Sequence, residues 1–266
     1  FHEACDNERV TEGILQYLLK YFPAAVRDDD KEGLLPLHII CSNKNVTLGM
    51  VQLLIDAFPD SIGHKDDEGC MPLHEFCRND EYLDEDFGLE VLKLLIENCP
   101  EAVRHATTKY GNLPMHNICS NKNVTLGMVQ LLIDAFPDSL SHENNIGLMP
   151  LHTLCNNKNL DDEVAVDILK LLLERCPESI RRADEDGDLP IHMACQGSKS
   201  PEFCRMLIEA YPGSERMSNC EGALPFHEAC RHNTLATVKY LLKLYPECNL
   251  ARTDGICPIH CAIWGI

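Results

Sequence analysis

The chain has 266 residues, of which 45% are hydrophobic and 24% charged, the usual balance of a folded soluble protein. Its 42 acidic and 23 basic side chains give a formal net charge of −19, and the Lys and Arg residues form no cluster that would bind nucleic acid. We therefore expect a partner protein with a basic or mixed-charge surface and no nucleic acid. Apolar stretches such as residues 171–173 are short, so we expect no membrane insertion.

The first complete element is Pro36-Leu37-His38, a Pro-apolar-His motif that recurs along the whole chain. Each copy has a glycine five residues before its histidine. The repeated residues are Gly33, Pro36 and His38; Gly69, Pro72 and His74; Gly111, Pro114 and His116; Gly147, Pro150 and His152; Gly187, Pro190 and His192; Gly222, Pro225 and His227; and Gly255, Pro258 and His260. Phe1-His2 is a truncated copy, and successive histidines lie between 33 and 42 positions apart. Such a period indicates a repeat protein.

Each repeat predicts two helices. After Pro36, the apolar residues Leu37, Ile40 and Cys41 have the spacing of one helix face, with proline in the first turn. A polar stretch ends this helix, and residues 48–58 predict a second helix that is apolar over most of its circumference. A single pair cannot bury so much apolar surface, so the pattern predicts pairs stacked against each other.

Residues 41–61 and 119–139 have identical sequences, 78 positions apart. The offset corresponds to two repeats. Even polar residues of the predicted connection match, as in Asn43 and Asn121, although a stack does not require this. We interpret the identity as a recent duplication of a two-repeat block.

The motif resembles the ankyrin repeat, whose pattern is Gly-x-Thr-Pro-Leu-His-x-Ala-Ala with a period of about 33 residues. The copy most like this pattern is GALPFHEAC, at residues 222–230. The resemblance implies an all-α, ankyrin-type α-solenoid of about seven stacked helix-turn-helix repeats joined by β-turns. It covers residues 1–266 as a single array, expected to be truncated at both ends, and the outline is similar to ankyrin-rich proteins of unicellular algae. Repeat frames start near residues 1, 33, 69, 111, 147, 187, 222 and 255.

Two positions depart from the family pattern. The threonine before proline is replaced, by Leu35 in the first complete copy, so the hydroxyl cap of the first helix is missing. The glycine after the second helix gives way to an aromatic-Pro or Cys-Pro pair, such as Phe58-Pro59. The resemblance also implies that the repeated histidines hydrogen-bond across the turns and join each turn to its neighbour.

The candidate chemistry does not favour catalysis. A His-x-x-Cys pair such as His38 and Cys41 has zinc-ligand spacing, but stacked helices lie about 8–10 Å apart, too far for four ligands to meet. We therefore expect reduced, buried cysteines. The acidic stretches at 80–86 and 161–163 are interpreted as solvated connections because they lack the offsets of a calcium loop. Asn45-Val46-Thr47 and its duplicate match a glycosylation pattern, which we interpret as coincidence. No catalytic residue, metal or cofactor is predicted.

The resemblance implies a scaffold that binds a partner protein on the concave face of the solenoid. The turn tips vary while the frame repeats, and first-helix positions after the histidine, such as Glu75, vary as well. Predicted contacts at the tips are Asp30, Asp67, Tyr110, Asn145 and Asp184. Two alternatives stay open: a targeting or regulatory region of a larger enzyme, for example a kinase or ubiquitin ligase with its catalytic domain outside these residues, or an array without a dedicated partner. We expect a monomeric array in the cytoplasm or nucleus.

Overall fold

The computed structural model describes residues 1–80 and 85–250. In these ranges the chain is helical and contains no β-strand, which confirms the predicted all-α fold class. The α-helices are α1 (His2–Asp6), α2 (Glu12–Tyr21), α3 (Pro36–Ser42), α4 (Leu48–Ala57), α5 (Pro72–Arg78), α6 (Glu85–Asn98), α7 (Pro114–Ser120), α8 (Leu126–Ala135), α9 (Pro150–Asn156), α10 (Asp162–Arg175), α11 (Pro190–Gln196), α12 (Pro201–Ala210), α13 (Pro225–His232) and α14 (Leu235–Leu244). The repeat frame predicted near residue 255 lies outside the described residues.

A short 3-10 helix follows each second helix. These segments are Pro23–Val26, Pro59–Gly63, Pro100–Arg104, Pro137–Ser141, Pro177–Arg181, Ser214–Arg216 and Pro246–Leu250. In most copies the second proline of the repeat is their first residue. Proline disfavours α-helix at the residue before it, which is why α4 ends at Ala57, one residue earlier than the predicted end.

Two compact units divide the chain, unit 1 (Phe1–Ser139) and unit 2 (Leu140–Ile266). In unit 1, the first helices α1, α3, α5 and α7 pack in a row, and the second helices α2, α4, α6 and α8 form a second row. In unit 2, α9, α11 and α13 form the first row, while α10, α12 and α14 form the second. Each unit is therefore a stack of helix pairs.

The core of each repeat follows the predicted spacing. Leu37, Ile40 and Cys41 are all buried, as are Val51 and Leu54 in the second helix. The two long repeats place their additional residues in the second helix and in the connection before it: α6 and α10 each have 14 residues, whereas α4 has 10. The additional residues therefore leave the spacing between the turns and the first helices nearly constant.

Different side chains cap the two kinds of helix. A side-chain oxygen caps each second helix whose preceding residue is described, as where Thr47 Oγ1 accepts the Met50 N–H at 3.1 Å. First helices have no hydroxyl cap; instead, the histidine in their first turn bonds back to the residue before the helix, where His38 Nδ1 accepts the Leu35 N–H at 3.1 Å. The equivalent 3.1 Å bonds join Met71 to His74, Leu113 to His116, Met149 to His152, Leu189 to His192 and Leu224 to His227.

Within the described ranges, every helix is too short or too polar to form a membrane span. The two segments that match a glycosylation pattern have structural contacts: Thr47 caps α4, and Asn45 Nδ2 donates to Glu8 O at 2.7 Å. In the duplicate, Thr125 caps α8 and Asn123 Nδ2 donates to Asp80 O at 2.7 Å.

Candidate functional site

In five of the six turns that precede the helices α3, α5, α7, α9, α11 and α13, an Asp or Asn three residues before the glycine builds the turn. In the turn before α7, Thr107 accepts the N–H groups of Gly111 and Asn112 instead. At the first turn, Gly33 N–H donates to Asp30 O at 3.1 Å, and Asp30 Oδ1 accepts the N–H groups of Glu32 and Leu34, both at 2.9 Å. Gly33 has a φ of +79°, a left-handed conformation that favours glycine. Asp66, Asn144, Asp184 and Asn219 make the same pair of side-chain bonds. The Asx-x-x-Gly spacing was visible in the sequence and could have identified this role.

Backbone hydrogen bonds join neighbouring turns within each unit. In unit 1, Asp67 N–H donates to Glu32 O at 3.1 Å, and Thr108 N–H donates to Glu68 O at 2.9 Å. In unit 2, Glu185 N–H donates to Ile146 O and Cys220 N–H donates to Asp186 O, at 3.3 and 2.9 Å. The approach is close: a Cβ added to Gly69 would lie 2.6 Å from Thr108 N. The turns therefore form an ordered row, and their tips cannot shift independently.

Hydrogen bonds from the repeated histidines connect the first helices to the segments that lead into these turns. Because Nδ1 of His38, His74 and His152 accepts a backbone N–H, the proton lies on Nε2, which donates to a backbone carbonyl in the segment that leads into the next turn. The Nε2–O distances are 3.2 Å from His38 to His64, 2.9 Å from His74 to His105 and 3.1 Å from His152 to Arg182. Burial lowers the pKa of His38, His74 and His152 to about 4, so these rings are neutral near pH 7.

The five predicted contact residues occupy two kinds of position. Asp30 and Asp184 are the turn-forming residues of their repeats; they are half-buried and one carboxylate oxygen of each is bonded to backbone N–H groups. Asp67 and Asn145 follow the turn-forming residue and are exposed. Tyr110 is 48% exposed, and Lys109 Nζ lies 4.9 Å from the centroid of its ring. Asp30, Asp67 and Tyr110 belong to unit 1, while Asn145 and Asp184 belong to unit 2.

An acidic groove of about 340 Å³ lies in unit 1 between two successive turns and α5. Its lining residues are Glu32, Leu34, Asp66, Asp67, Glu68, Glu75 and Arg78. Five acidic residues and one arginine thus line the groove. Of the predicted contacts, only Asp67 lines this groove, although Asp30 supports its wall by fixing the turn that carries Glu32 and Leu34.

Glu75 forms the inner wall of the groove. It is 5% exposed, and its two oxygens lie 2.6 and 2.8 Å from Arg78 Nη2. Burial raises the pKa of this carboxyl group, although the guanidinium of Arg78 acts in the opposite direction. Glu228 and Arg231 repeat the arrangement in unit 2 at 3.2 Å, and both pairs occur in the sequence motif His-Glu-x-Cys-Arg.

The first-helix positions after the histidine are more covered than their variation suggested. Neighbouring first helices pack closely, so side chains that lie between them lose most of their exposure. Glu75, Asn117, Met193 and Glu228 are buried, and Ile39 and Thr153 are half-buried. The exposed variation is therefore concentrated in the turns.

The described residues contain one group of possible metal ligands, Asp66, Cys70 and Glu75, whose ligand atoms lie within 4.8 Å of one another. These groups already have protein partners: Asp66 Oδ1 accepts two backbone N–H groups, and Glu75 binds Arg78. Burial raises the pKa of Cys70 to about 12, which keeps the thiol protonated. The His-x-x-Cys pairs do not supply ligands either, since both ring nitrogens of His38 and of His74 are hydrogen-bonded.

The remaining sequence candidates have structural surroundings. Most of the described cysteines are buried, as the repeat pattern predicted, and they form no disulfide in this part of the chain. Residues 81–84 of the first acidic stretch lie outside the described residues. In the second, Asp161 Oδ1 accepts the N–H groups of Glu163 and Val164 at 2.9 and 3.3 Å and so caps α10.

Comparison with known proteins agrees with this architecture. Residues 162–254 match the family model described as ankyrin repeats (3 copies). The fold is similar to the crystal structure of the human ASB11 ankyrin repeat domain, with a TM-score of 0.66 and 19% sequence identity, covering 91% of this chain and 96% of that chain. At this identity the likeness establishes the fold alone. No curated protein matches the sequence. The repeated turns and helix pairs, with the family match over residues 162–254 and the structural likeness, show that the chain has an ankyrin-repeat fold.

Proposed function

We propose that this chain is a protein-interaction scaffold, with no catalysis of its own, and that its partner binds the turns and first helices of unit 1. Ankyrin repeats are generally protein-interaction modules, which supports the class of function. The acidic groove is the observation that favours this particular face. It combines an opening of about 340 Å³ with an apolar residue, Leu34, and carboxylates on several sides.

The groove favours a partner with basic side chains. Glu32 and Asp67 carry exposed charges at the rim, where they attract cations over a distance before contact, whereas Glu68 is paired with Lys109. A lysine or arginine that enters the groove also meets Glu75, a carboxylate that a guanidinium of the chain itself already contacts. The negative charge of this surface opposes nucleic acid binding, in agreement with the net charge of −19.

Tyr110 is well placed as an anchor beside the groove. Lys109 Nζ forms an ion pair with Glu68, which lines the groove, and lies over the Tyr110 ring. The lysine therefore holds the aromatic ring close to the rim. Half-exposed aromatic residues beside charged groups are frequent centres of binding energy in protein interfaces. The proposal also includes an intracellular location, because an odd number of cysteines, spaced about once per repeat and mostly buried, does not suit a secreted disulfide framework.

A matched pair of variants tests this function. The first combines Glu32→Gln, Asp67→Asn and Tyr110→Ala at the groove. The control combines Asp60→Asn, Glu97→Gln and Tyr17→Ala, which are exposed residues of second helices or 3-10 segments in the same unit and remove the same charge and one tyrosine. Both variants and the unmodified chain would serve as baits in extracts of cells that express this protein.

We expect the unmodified chain and the control to capture the same proteins, and most of these should have basic surfaces. The groove variant should no longer capture them. The affinity for a purified partner should fall at least tenfold in the groove variant and decrease with rising salt. Equal capture by all three baits would reject the assignment of this face. Failure of the unmodified chain to bind any protein above an empty resin would reject the scaffold function itself.

A further inference from the structure

We propose that two residues at each repeat boundary form a matched pair that decides which repeats can be neighbours. The first residue, here called the donor position, is the fifth residue counted from the second proline of a repeat. The second residue, the acceptor position, immediately precedes the second proline of the following repeat. Donor and acceptor at successive boundaries are Arg27 and Phe58, Gly63 and Cys99, Arg104 and Phe136, Ser141 and Cys176, Arg181 and Tyr211, and Arg216 and Tyr245.

Where the donor is arginine, the acceptor is an aromatic ring and the two are in contact. The guanidinium carbon lies between 4.9 and 5.2 Å from the ring centroid at each of these four boundaries. This is the distance of a cation–π interaction. The arginine also covers the ring: Phe58, Phe136, Tyr211 and Tyr245 are half-buried. Phe22 has the same position in its repeat but no arginine over it in the described part of the chain, and it is 60% exposed.

Where the donor is small, the acceptor is a cysteine. The Cβ direction of Gly63 points toward Cys99, with 3.8 Å between that position and the sulfur. Cys99 and Cys176 are 3% and 4% exposed, so the smaller pair excludes water without an aromatic ring. Combining the donor residue of one pair type with the acceptor residue of the other would create a defect in both possible combinations. An arginine beside cysteine would lose its ring, and an aromatic beside glycine would stay exposed to water.

The two pair types alternate along the first four boundaries, and this alternation explains why the duplication spans two repeats. The repeat that contains Phe58 as acceptor carries Gly63 as donor, while the next repeat has Cys99 and Arg104. Copying either repeat alone would place a small donor before an aromatic, or an arginine before cysteine. Copying both together keeps every boundary matched. The identical segments at 41–61 and 119–139 contain Phe58 and Phe136, which are acceptors of the same type.

Double-mutant cycles in the full chain test the pairing. The first cycle uses Arg104→Gly and Phe136→Cys, alone and together, which converts one boundary to the small type. The reverse cycle uses Gly63→Arg and Cys99→Phe. As a control, Arg104→Gly is combined with Cys99→Phe, two changes within one repeat that leave two boundaries mismatched. Urea unfolding followed by circular dichroism would give the unfolding equilibrium constant of each variant.

We expect each single variant to unfold more readily and each matched double variant to recover, with a coupling of about threefold to tenfold in the unfolding equilibrium constant. The control double variant should show no recovery. Additive effects in both matched cycles would overturn the proposal. If a single variant does not fold, the milder cycle Arg104→Gln with Phe136→Leu replaces it, and there the loss caused by Arg104→Gln must shrink when the ring is absent.

Discussion

Residues 41–61 and 119–139 have the same sequence and lie in the same unit, so they separate what a segment determines by itself from what its neighbours add. Their internal bonds agree: Thr47 caps α4 as Thr125 caps α8. Asn43 Nδ2 donates to two carbonyls at the end of the preceding first helix, at 2.7 and 3.3 Å, and Asn121 Nδ2 does so at 3.0 and 2.8 Å. The bonds that join one repeat to the next are thus reproduced with the segment.

The outward-facing positions of the two copies differ. Leu126 is 42% exposed, whereas the equivalent Leu48 is half-buried. Gly49 faces the carboxylate of Glu12, which also accepts a hydrogen bond from Thr47 Oγ1 at 3.0 Å. Gly127 instead faces the side chain of Leu89. An identical segment therefore keeps its frame and takes a new surface from each neighbour, which is what a scaffold with a variable binding face requires.

Acidification should lower the free energy of unfolding more than any substitution below, because it acts on the histidines that connect the first helices to the row of turns in unit 1. His38 and His74 have folded-state pKa values of about 4, against about 6.5 in an unfolded chain. The lowered pKa means that their contribution is complete above pH 6.5 and is lost as the pH falls from 6.5 toward 4. At pH 5 each histidine should contribute about 2 kcal/mol less to the free energy of unfolding.

Urea unfolding at pH 7 and pH 5 measures this loss. The titratable groups near these rings are Asp66 and His64 for His38, and His105 and Arg78 for His74. His74→Gln should lower stability at pH 7 but reduce the difference between the two pH values. An unchanged difference in this variant would contradict the assignment of acid sensitivity to the buried histidines.

Replacing the repeated asparagine should affect both copies equally. Asn43→Ala and Asn121→Ala each leave two carbonyls without their side-chain donor, so we expect a loss of about 2–3 kcal/mol in either case. Asn45→Ala is the control, since Asn45 is exposed and its side chain makes one bond, to Glu8 O. Unequal losses beyond about 0.5 kcal/mol would show that the surroundings, and not the segment, determine these bonds.

The smallest expected effect is the one that distinguishes the copies. Gly127→Ala should stabilise α8 by about 0.5–1 kcal/mol, because alanine is the better helix former and its Cβ would meet Leu89 Cδ1 at an ordinary 3.8 Å. Gly49→Ala should gain less or lose stability, since its Cβ would lie 2.0 Å from Glu12 Oε1 and displace that side chain. Thermal unfolding of the two variants gives the sign, and equal gains would contradict the difference between the surfaces.

The sequence predicted the repeating frame well because residues within each element mark where it begins, which face is buried and where it ends. Proline starts the first helix, the apolar spacing defines its buried face, and glycine provides the left-handed turn at Gly33. Hydrogen bonding of the histidines across the turns was predicted only through the family resemblance. The bond between Leu35 N–H and His38 Nδ1 was not predicted, since it depends on the rotamer of the ring. The role of Asp30 in the turn had a local signal, the Asx-x-x-Gly spacing, that was not used.

The groove could not be predicted, because its walls come from separate repeats. Glu32 and Glu68 are 36 positions apart, and their common opening depends on how closely successive turns approach. The burial of Glu75 has the same cause, since it arises from packing between adjacent first helices. Sequence periodicity gives the register of equivalent residues but does not show which non-equivalent residues converge.

Hydrogen–deuterium exchange of the full chain, with and without a purified protein partner, tests the central claim most directly. We predict added protection in the turns at residues 30–34, 65–70 and 106–112 of unit 1, with no change in α4 and α6. Protection confined to these second helices, or to unit 2, would contradict binding through the acidic face.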